Sequence, residues 1–95
     1  MKSGITSTGF AFTFDEQRAN DMHVLVHVQG FIDPEATSLQ KIKALNELPK
    51  LLLGASQADA LYKHLESLHE GRVPADALEH ELIEIIRSED AGKNS

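Results

Sequence analysis

Five histidines give this 95-residue sequence its first candidates for metal or acid–base chemistry. His23 and His27 are four residues apart, which would place both imidazoles on one face of a helix, as two zinc ligands require. Val24 follows His23, so the pair lacks the glutamate that helical zinc proteases use as a base. Spacing identifies no third ligand either. We therefore expect these histidines to face solvent or a partner, with no metal ion and no other cofactor.

Carboxylates suited to acid–base catalysis need burial or close like-charge neighbours to shift their pKa values. Glu79, Glu81 and Glu84 are instead expected on the solvated face of the last helix. The sequence has no cysteine, which excludes a thiol nucleophile, a disulfide framework and a cysteine-ligated zinc. Arg72 fits ligand binding and a structural role at a turn equally well. Because no nucleophile elbow or phosphate-binding loop is present, we do not expect an enzyme.

Net charge and chain length narrow the remaining classes of function. Fifteen acidic residues against nine basic ones give a formal net charge of −6, which disfavours contact with a nucleic-acid phosphate backbone. The N-terminus lacks the apolar block of a signal peptide. Apolar runs such as residues 51–53 are far too short for a membrane span. We expect one cytoplasmic domain over residues 10–88, with binding of neither nucleic acid nor membrane.

The N-terminal third contains a tail, a strand and one ambiguous segment. Residues 1–9 are rich in Ser, Thr and Gly, and we expect a flexible tail. Phe10, Phe12 and Phe14 alternate along the chain, which indicates a short strand with one buried face. Residues 15–30 fit a helix capped by Asp15, yet their alternating valines also fit a strand. The pattern slightly favours helix and leaves residues 21–29 open between the two.

Three further segments have helical apolar spacing. The first begins with Ser38 as N-cap, and we expect a break or kink just before Pro49, with a short second segment ending at Gly54. The second opens with a capping-box pattern over residues 56–59 and closes at residues 70–71. The last follows Pro74 and precedes a flexible C-terminal tail over residues 89–95. The expected fold is mainly α, a small bundle of about four helices with a short N-terminal extended segment.

Apolar side chains exceed what a core of this size needs. If residues 15–30 are helical, their apolar side chains cannot all point inward, and a leftover apolar patch rimmed by charge is typical of a protein-binding surface or of self-association. The candidate partner-binding residues are Phe10, Phe12, Phe14, Leu25, Phe31 and Ile32.

Several short motifs carry a family resemblance. They are the run from Leu48 through Gly54, Gln57, the pairs Leu61-Tyr62 and His64-Leu65, Gly71 through Pro74, Phe10 through Phe14 followed by Asn20-Asp21-Met22, and the ending Gly92-Lys93-Asn94-Ser95. In these features the sequence resembles the small tail assembly chaperones of long-tailed (siphovirus-type) bacteriophages, and more specifically those of phages and prophages of Gram-positive hosts. The shared motifs are chiefly structural and span most of the chain.

The resemblance implies a non-catalytic chaperone in the bacterial cytoplasm. Such a protein binds the tape measure protein, keeps that long helical protein soluble, and helps recruit tail tube subunits around it. The alternative from another class is an acidic immunity protein or antitoxin-like regulator that blocks a basic partner. A tape measure gene directly downstream would favour the first function, and a toxin or repressor gene next door the second.

The C-terminal residues carry one further hypothesis. Gly92-Lys93-Asn94 can be encoded as GGA AAA AAC, which contains a heptamer that favours a minus-one ribosomal slip, and many members of the resembled family make a longer frameshifted product. We expect a slip site at or near these codons. Different codons, or no overlapping minus-one frame, would contradict this.

Overall fold

The computed structural model describes the backbone of residues 2–93 and the side chains of residues 2–88. In chain order the elements are β1 (Lys2–Ile5), β2 (Ala11–Phe14), α1 (Glu16–Ala19), α2 (Met22–Ile32), α3 (Ser38–Leu53), α4 (Ala55–Leu68) and α5 (Ala75–Lys93). The fold is mainly α, as the sequence predicts, with one antiparallel pair of strands at its N-terminal end. The element beyond the predicted four helices is α1, a single turn of four residues.

The two strands form a hairpin that lies on the helices through its phenylalanine face. Its register pairs Lys2 with Phe14 and Ile5 with Ala11. The strand predicted around the phenylalanines is therefore present, but the prediction of a flexible tail over residues 1–9 is wrong for the described residues. A lone strand leaves its backbone hydrogen bonds unmade, and β1 supplies the partner that β2 needs.

The ambiguous segment is helical, in two pieces. The side chain of Asp15 accepts a hydrogen bond from the backbone N–H of Gln17 and caps α1, and Asp21 likewise caps α2 through the N–H of His23. Each aspartate thus satisfies a backbone donor that the helix itself leaves free. Gly30 does not end α2, which continues to Ile32, because Phe31 is buried in the core on the next turn.

Helix α3 corrects two further expectations. Its N-cap is Thr37 rather than Ser38, because Thr37 and Gln40 form a reciprocal capping box with hydrogen bonds of 3.1 Å and 2.8 Å. The helix also continues through Pro49 without the predicted break. Pro49 is itself buried beside core positions such as Leu48 and Leu52, and this packing offsets the lost backbone hydrogen bond.

Gly54 joins α3 directly to α4. Its φ of +85° lets the chain turn within one residue, so α4 begins at Ala55, before the predicted capping box over residues 56–59. That box is absent, since no side chain caps α4. The predicted close of α4 is confirmed: Glu70 and Gly71 both have positive φ, and the N–H of Gly71 donates to the carbonyl of Glu66 in a Schellman-type turn.

The core lies where the hairpin, α2 and the three longer helices meet. Its buried side chains include Phe12, Phe14, Val24, Phe31, Leu45, Leu48, Leu52, Leu61, Leu65, Leu78, Leu82 and Ile85. The α5 backbone extends to Lys93, into the segment predicted as a tail, while Asn94 of the frameshift hypothesis and Ser95 lie outside the described residues. Within residues 2–93, no helix has both the length and the hydropathy needed to cross a membrane.

Candidate functional site

The six residues predicted to bind a partner separate into a buried group and an exposed group. The four phenylalanines are in the core, each with at most 6 % of its surface exposed. They pack between the hairpin, α2 and the longer helices, so their assignment to a partner-binding surface is corrected. Leu25 and Ile32, both on α2, are exposed as the prediction requires.

Helix α2 carries an apolar stripe on its outer side. Met22, Leu25 and Val26 are 68 %, 40 % and 60 % exposed. Their spacing of three and four residues places them on one helix face, while Val24 and Phe31 face the core. A helix that is apolar nearly all round cannot bury its whole surface against one neighbour. Much of the stripe's surface is therefore not covered by the described residues.

Two open grooves lie end to end between α2 and α3. The first, of about 410 Å³, is lined by Met22, His23, Val26, His27, Glu47 and Leu51. The second, of about 360 Å³, is lined by Val26, His27, Gln29, Gly30, Asp33, Ala36, Gln40, Lys43 and Ala44. Val26 and His27 line both, so the two grooves adjoin each other. We call this combined groove, with the exposed α2 stripe beside it, the α2–α3 seam.

The seam has charged and titratable groups at its edge. The Nδ1 atom of His23 is 2.8 Å from the Oδ1 atom of Asp21. Hydrogen bonds from the backbone N–H and then the side chain of His23 hold the pKa of the Asp21 carboxyl below its ordinary value of 3.8. His23 and His27 find no third metal ligand among the described side chains. They act here as polar members of a largely apolar groove.

The comparisons with known proteins give no relative. No family model, no curated protein and no solved structure matches this chain.

A buried carboxylate contacts the loop that joins β1 to β2. Glu81 on α5 is only 1 % exposed, so its expected place on a solvated helix face is wrong. Its Oε1 atom accepts hydrogen bonds from the hydroxyls of Thr6, at 2.8 Å, and Thr8, at 3.0 Å. Its Oε2 atom is also buried and has no hydrogen-bond partner among the residues that the structure describes.

The Thr8 hydroxyl also connects this network to α4. Its oxygen is 3.0 Å from the Nε2 atom of His64 and 3.2 Å from the Thr6 hydroxyl oxygen. The tautomer of His64 decides whether Nε2 donates or accepts.

Glu84, one turn further along α5, is bound by the same hairpin loop. It accepts hydrogen bonds from the backbone N–H of Ser7, at 3.0 Å, and from its hydroxyl, at 2.8 Å. The Ser7 hydroxyl, the Ser7 N–H and nearby His80 together hold the pKa of Glu84 below its ordinary value of 4.5, against the opposing effect of partial burial. Two carboxylates therefore lie beneath one loop of the hairpin.

The helical spacing of α5 predicts that Glu81 is buried, although its charge alone favours exposure. Glu81 lies three residues after Leu78 and four before Ile85, both of which are buried. That spacing puts Glu81 inside the apolar stripe of α5 rather than opposite it. The hydroxyl-rich segment at residues 6–8 supplies the matching donors, but it is so far away in sequence that no local pattern connects the two.

Proposed function

We propose that this protein is a non-catalytic bacteriophage tail assembly chaperone that acts in the host cytoplasm, and that the α2–α3 seam is where it binds the tape measure protein. The observation that carries the proposal is the exposed apolar stripe of α2, formed by Met22, Leu25 and Val26. The motifs that resemble tail assembly chaperones support the same role. Recruitment of tail tube subunits is part of the proposed function, through a surface not assigned here.

The shape of the seam suits an amphipathic helix. Helix α2 has 11 residues and is therefore about 16 Å long, so a partner helix of about three turns could lie along the seam. Such a helix would place apolar side chains in the groove beside Val26 and Leu51. A tape measure protein, as a long helical chain, would offer many such segments.

The size of the stripe suits reversible binding. Complete burial of a side chain such as Met or Val contributes about 1.5–3 kcal/mol, and association itself costs several kcal/mol of lost freedom. A stripe of three such residues therefore supports binding that an assembling tail can displace. Leu39 and Ile42 on α3 are also exposed, and Ile42 lines a separate groove with Tyr62 and Val73, which offers a place for self-association.

The net charge would keep a many-copy complex soluble. At −6 per chain, a complex that carries many copies repels other such complexes and so resists aggregation. The same charge would also favour the alternative class, an acidic regulator that blocks a basic partner. The two functions differ in what drives binding, because apolar burial is little affected by salt whereas charge attraction is screened.

The test is co-expression of the chain with the tape measure protein of the same phage or prophage. We expect a higher soluble yield of the tape measure protein and a complex that survives 0.5–1 M salt. The double variant Met22→Gln/Val26→Gln should weaken the complex on the order of 100-fold, since it removes apolar burial worth about 3 kcal/mol. Both side chains are exposed, so its unfolding free energy should change by less than about 0.5 kcal/mol.

The matched control is Leu68→Gln. Leu68 is likewise an exposed apolar residue, but it lies at the end of α4 and outside the seam. Its replacement should leave the complex intact. An unchanged yield of tape measure protein would overturn the chaperone proposal. Binding that vanishes at high salt would contradict the assignment of the seam as the binding site. So would binding that Leu68→Gln weakens as much as the double variant does.

A further inference from the structure

We propose that His80, Glu81 and Glu84 bind one divalent transition-metal ion, with zinc as the ion that best suits this ligand set. The proposal is independent of the chaperone function. It stands on two separate observations: the proximity of three ligand atoms beside α5, and a buried carboxylate oxygen of Glu81 that has no hydrogen-bond partner among the described residues.

The three side chains already point toward a common volume. One ligand atom from each lies within 4.8 Å of the other two. The Nδ1 atom of His80 is 3.2 Å from the Oε2 atom of Glu84. Around a tetrahedral zinc ion with bonds of about 2.0–2.2 Å, ligand atoms lie about 3.3 Å apart. Nδ1 of His80 and Oε2 of Glu84 are thus close to ligand spacing, and binding would draw the Glu81 ligand atom in from a separation of up to 4.8 Å.

The unpartnered Oε2 atom of Glu81 is the feature that hydrogen bonding leaves unexplained. Both hydroxyls that reach this carboxylate, from Thr6 and Thr8, contact Oε1. Oε2 is buried without a donor, which costs free energy for a charged group more than for a neutral one. A metal ion bound at Oε2 would remove this cost.

Charge at the site also favours a cation. Glu81 and Glu84 place two carboxylates within 4.8 Å of each other. Among the side chains of residues 2–88, no lysine or arginine forms an ion pair with either of them, and the base in direct contact with Glu84 is His80. Close carboxylates repel unless a proton or a cation lies between them. A divalent ion would supply the missing positive charge.

The hairpin loop would hold the ligands in place. Ser7 binds the Glu84 carboxylate through both its N–H and its hydroxyl, while Thr6 and Thr8 fix Glu81. Groups that orient metal ligands in this way raise metal affinity about 10–100-fold. The imidazole ligand selects zinc and similar ions over calcium and magnesium, which prefer oxygen ligands alone. A bound ion would therefore also fasten the hairpin to α5.

The experiment uses the full chain, stripped of metal with a chelator and then titrated with ZnCl₂ by calorimetry and followed by thermal unfolding. We expect saturable binding of one ion per chain, a Tm that rises with zinc concentration, and no rise with MgCl₂. His80→Ala and Glu84→Gln should each lower zinc affinity by at least about 10-fold. Both positions are partly or fully exposed, so the two variants should fold.

The control is His23→Ala/His27→Ala, which removes the two histidines of α2, outside the proposed site, and should leave zinc affinity unchanged. As a second readout, NMR should show that zinc shifts the His80 imidazole resonances before those of the other histidines. Absence of saturable binding would overturn the proposal. So would an affinity that falls in the control but not in His80→Ala, because the ion would then be bound adventitiously elsewhere.

Discussion

The Oγ1 atom of Thr6 donates a hydrogen bond of 2.8 Å to the Oε1 atom of Glu81, which connects the hairpin to the last helix across 75 residues of sequence. The same Oγ1 atom accepts a hydrogen bond of 3.1 Å from the backbone N–H of Phe10. One buried hydroxyl therefore satisfies a carboxylate on α5 and closes the turn between β1 and β2. This contact explains how a polar N-terminal segment becomes part of the fold.

Replacing Thr6 with valine should destabilise the protein by about 1–3 kcal/mol, because the shape is kept while a buried carboxylate loses a donor. The unfolding free energy in urea measures this. Thr13→Val is the matched control: within the described part of the chain the Thr13 hydroxyl bonds to Ser3 alone, on the exposed face of the hairpin, so the change should stay within about 0.5 kcal/mol. Equal stability of Thr6→Val and the parent chain would show that the hydroxyl does not stabilise the fold.

Much of the helical architecture could be predicted from the sequence, because its information is local. The leucine spacing of α3, α4 and α5 identifies those helices, and the alternating phenylalanines identify β2. The exact helix boundaries were harder to predict from the sequence. Thr37 replaced Ser38 as a cap because the reciprocal bond with Gln40 decides between adjacent candidates, and Pro49 stayed helical because burial outweighs its local preference.

The functional surfaces depended on information that is not local. The sequence shows an apolar surplus, but not which members of it the core takes. The four phenylalanines are in the interior, and the exposed apolar residues include Met22, Leu25 and Val26. Glu81 was assigned to solvent from its charge, although its helical position placed it among buried residues. Its partners, Thr6 and Thr8, become visible only once the hairpin is folded.

Gly4 is required by the ring packed against it. A Cβ atom at Gly4 would lie 2.9 Å from the Cζ atom of Phe12, whose ring is buried and stacks on Phe14 with centroids 6.2 Å apart. Gly4→Ala should therefore destabilise the protein by about 1–3 kcal/mol through overpacking. Thermal unfolding would measure the loss. An unchanged Tm would mean that the ring can move aside at no cost.

Gly30 should respond in the opposite direction. It lies within α2, and a Cβ atom there would meet only the Cβ of Ala44, at an ordinary contact distance of 3.9 Å. Gly30→Ala should stabilise the protein by about 0.5–1 kcal/mol, because alanine loses less conformational entropy in a helix. The same unfolding measurement applies. A loss of stability would show that α2 and α3 pack more tightly here than the contact indicates.

Gln57 covers the outer edge of β2. Its Oε1 atom accepts a hydrogen bond of 2.7 Å from the N–H of Thr13, and its Nε2 atom donates to the carbonyls of Thr13 and Leu53. Gln57→Met keeps the length and removes these bonds, which should cost about 0.5–1.5 kcal/mol and speed amide exchange at Thr13. Gln17→Met, at an exposed position on α1, is the control. Unchanged exchange at Thr13 would contradict the role of Gln57.

Asp21 gives the fold a pH dependence whose sign can be stated. Its pKa in the folded protein is lowered, first by the backbone N–H of His23 and then by the His23 side chain. A carboxyl with a lower pKa in the folded than in the unfolded state stabilises the fold fully above its unfolded value of about 3.9. That contribution is lost as the pH falls through the folded-state pKa.

The two causes of the Asp21 shift can be separated by one substitution. His23→Ala removes the imidazole but keeps the backbone N–H, so NMR titration of the Asp21 carboxyl should show its pKa rising only part of the way to 3.8. His27→Ala is the control, since no contact between His27 and Asp21 contributes to the shift. A pKa that does not move in His23→Ala would mean that the imidazole does not donate to Asp21. The N-terminus of α2, and with it the end of the seam next to Met22, would then depend on the backbone cap alone.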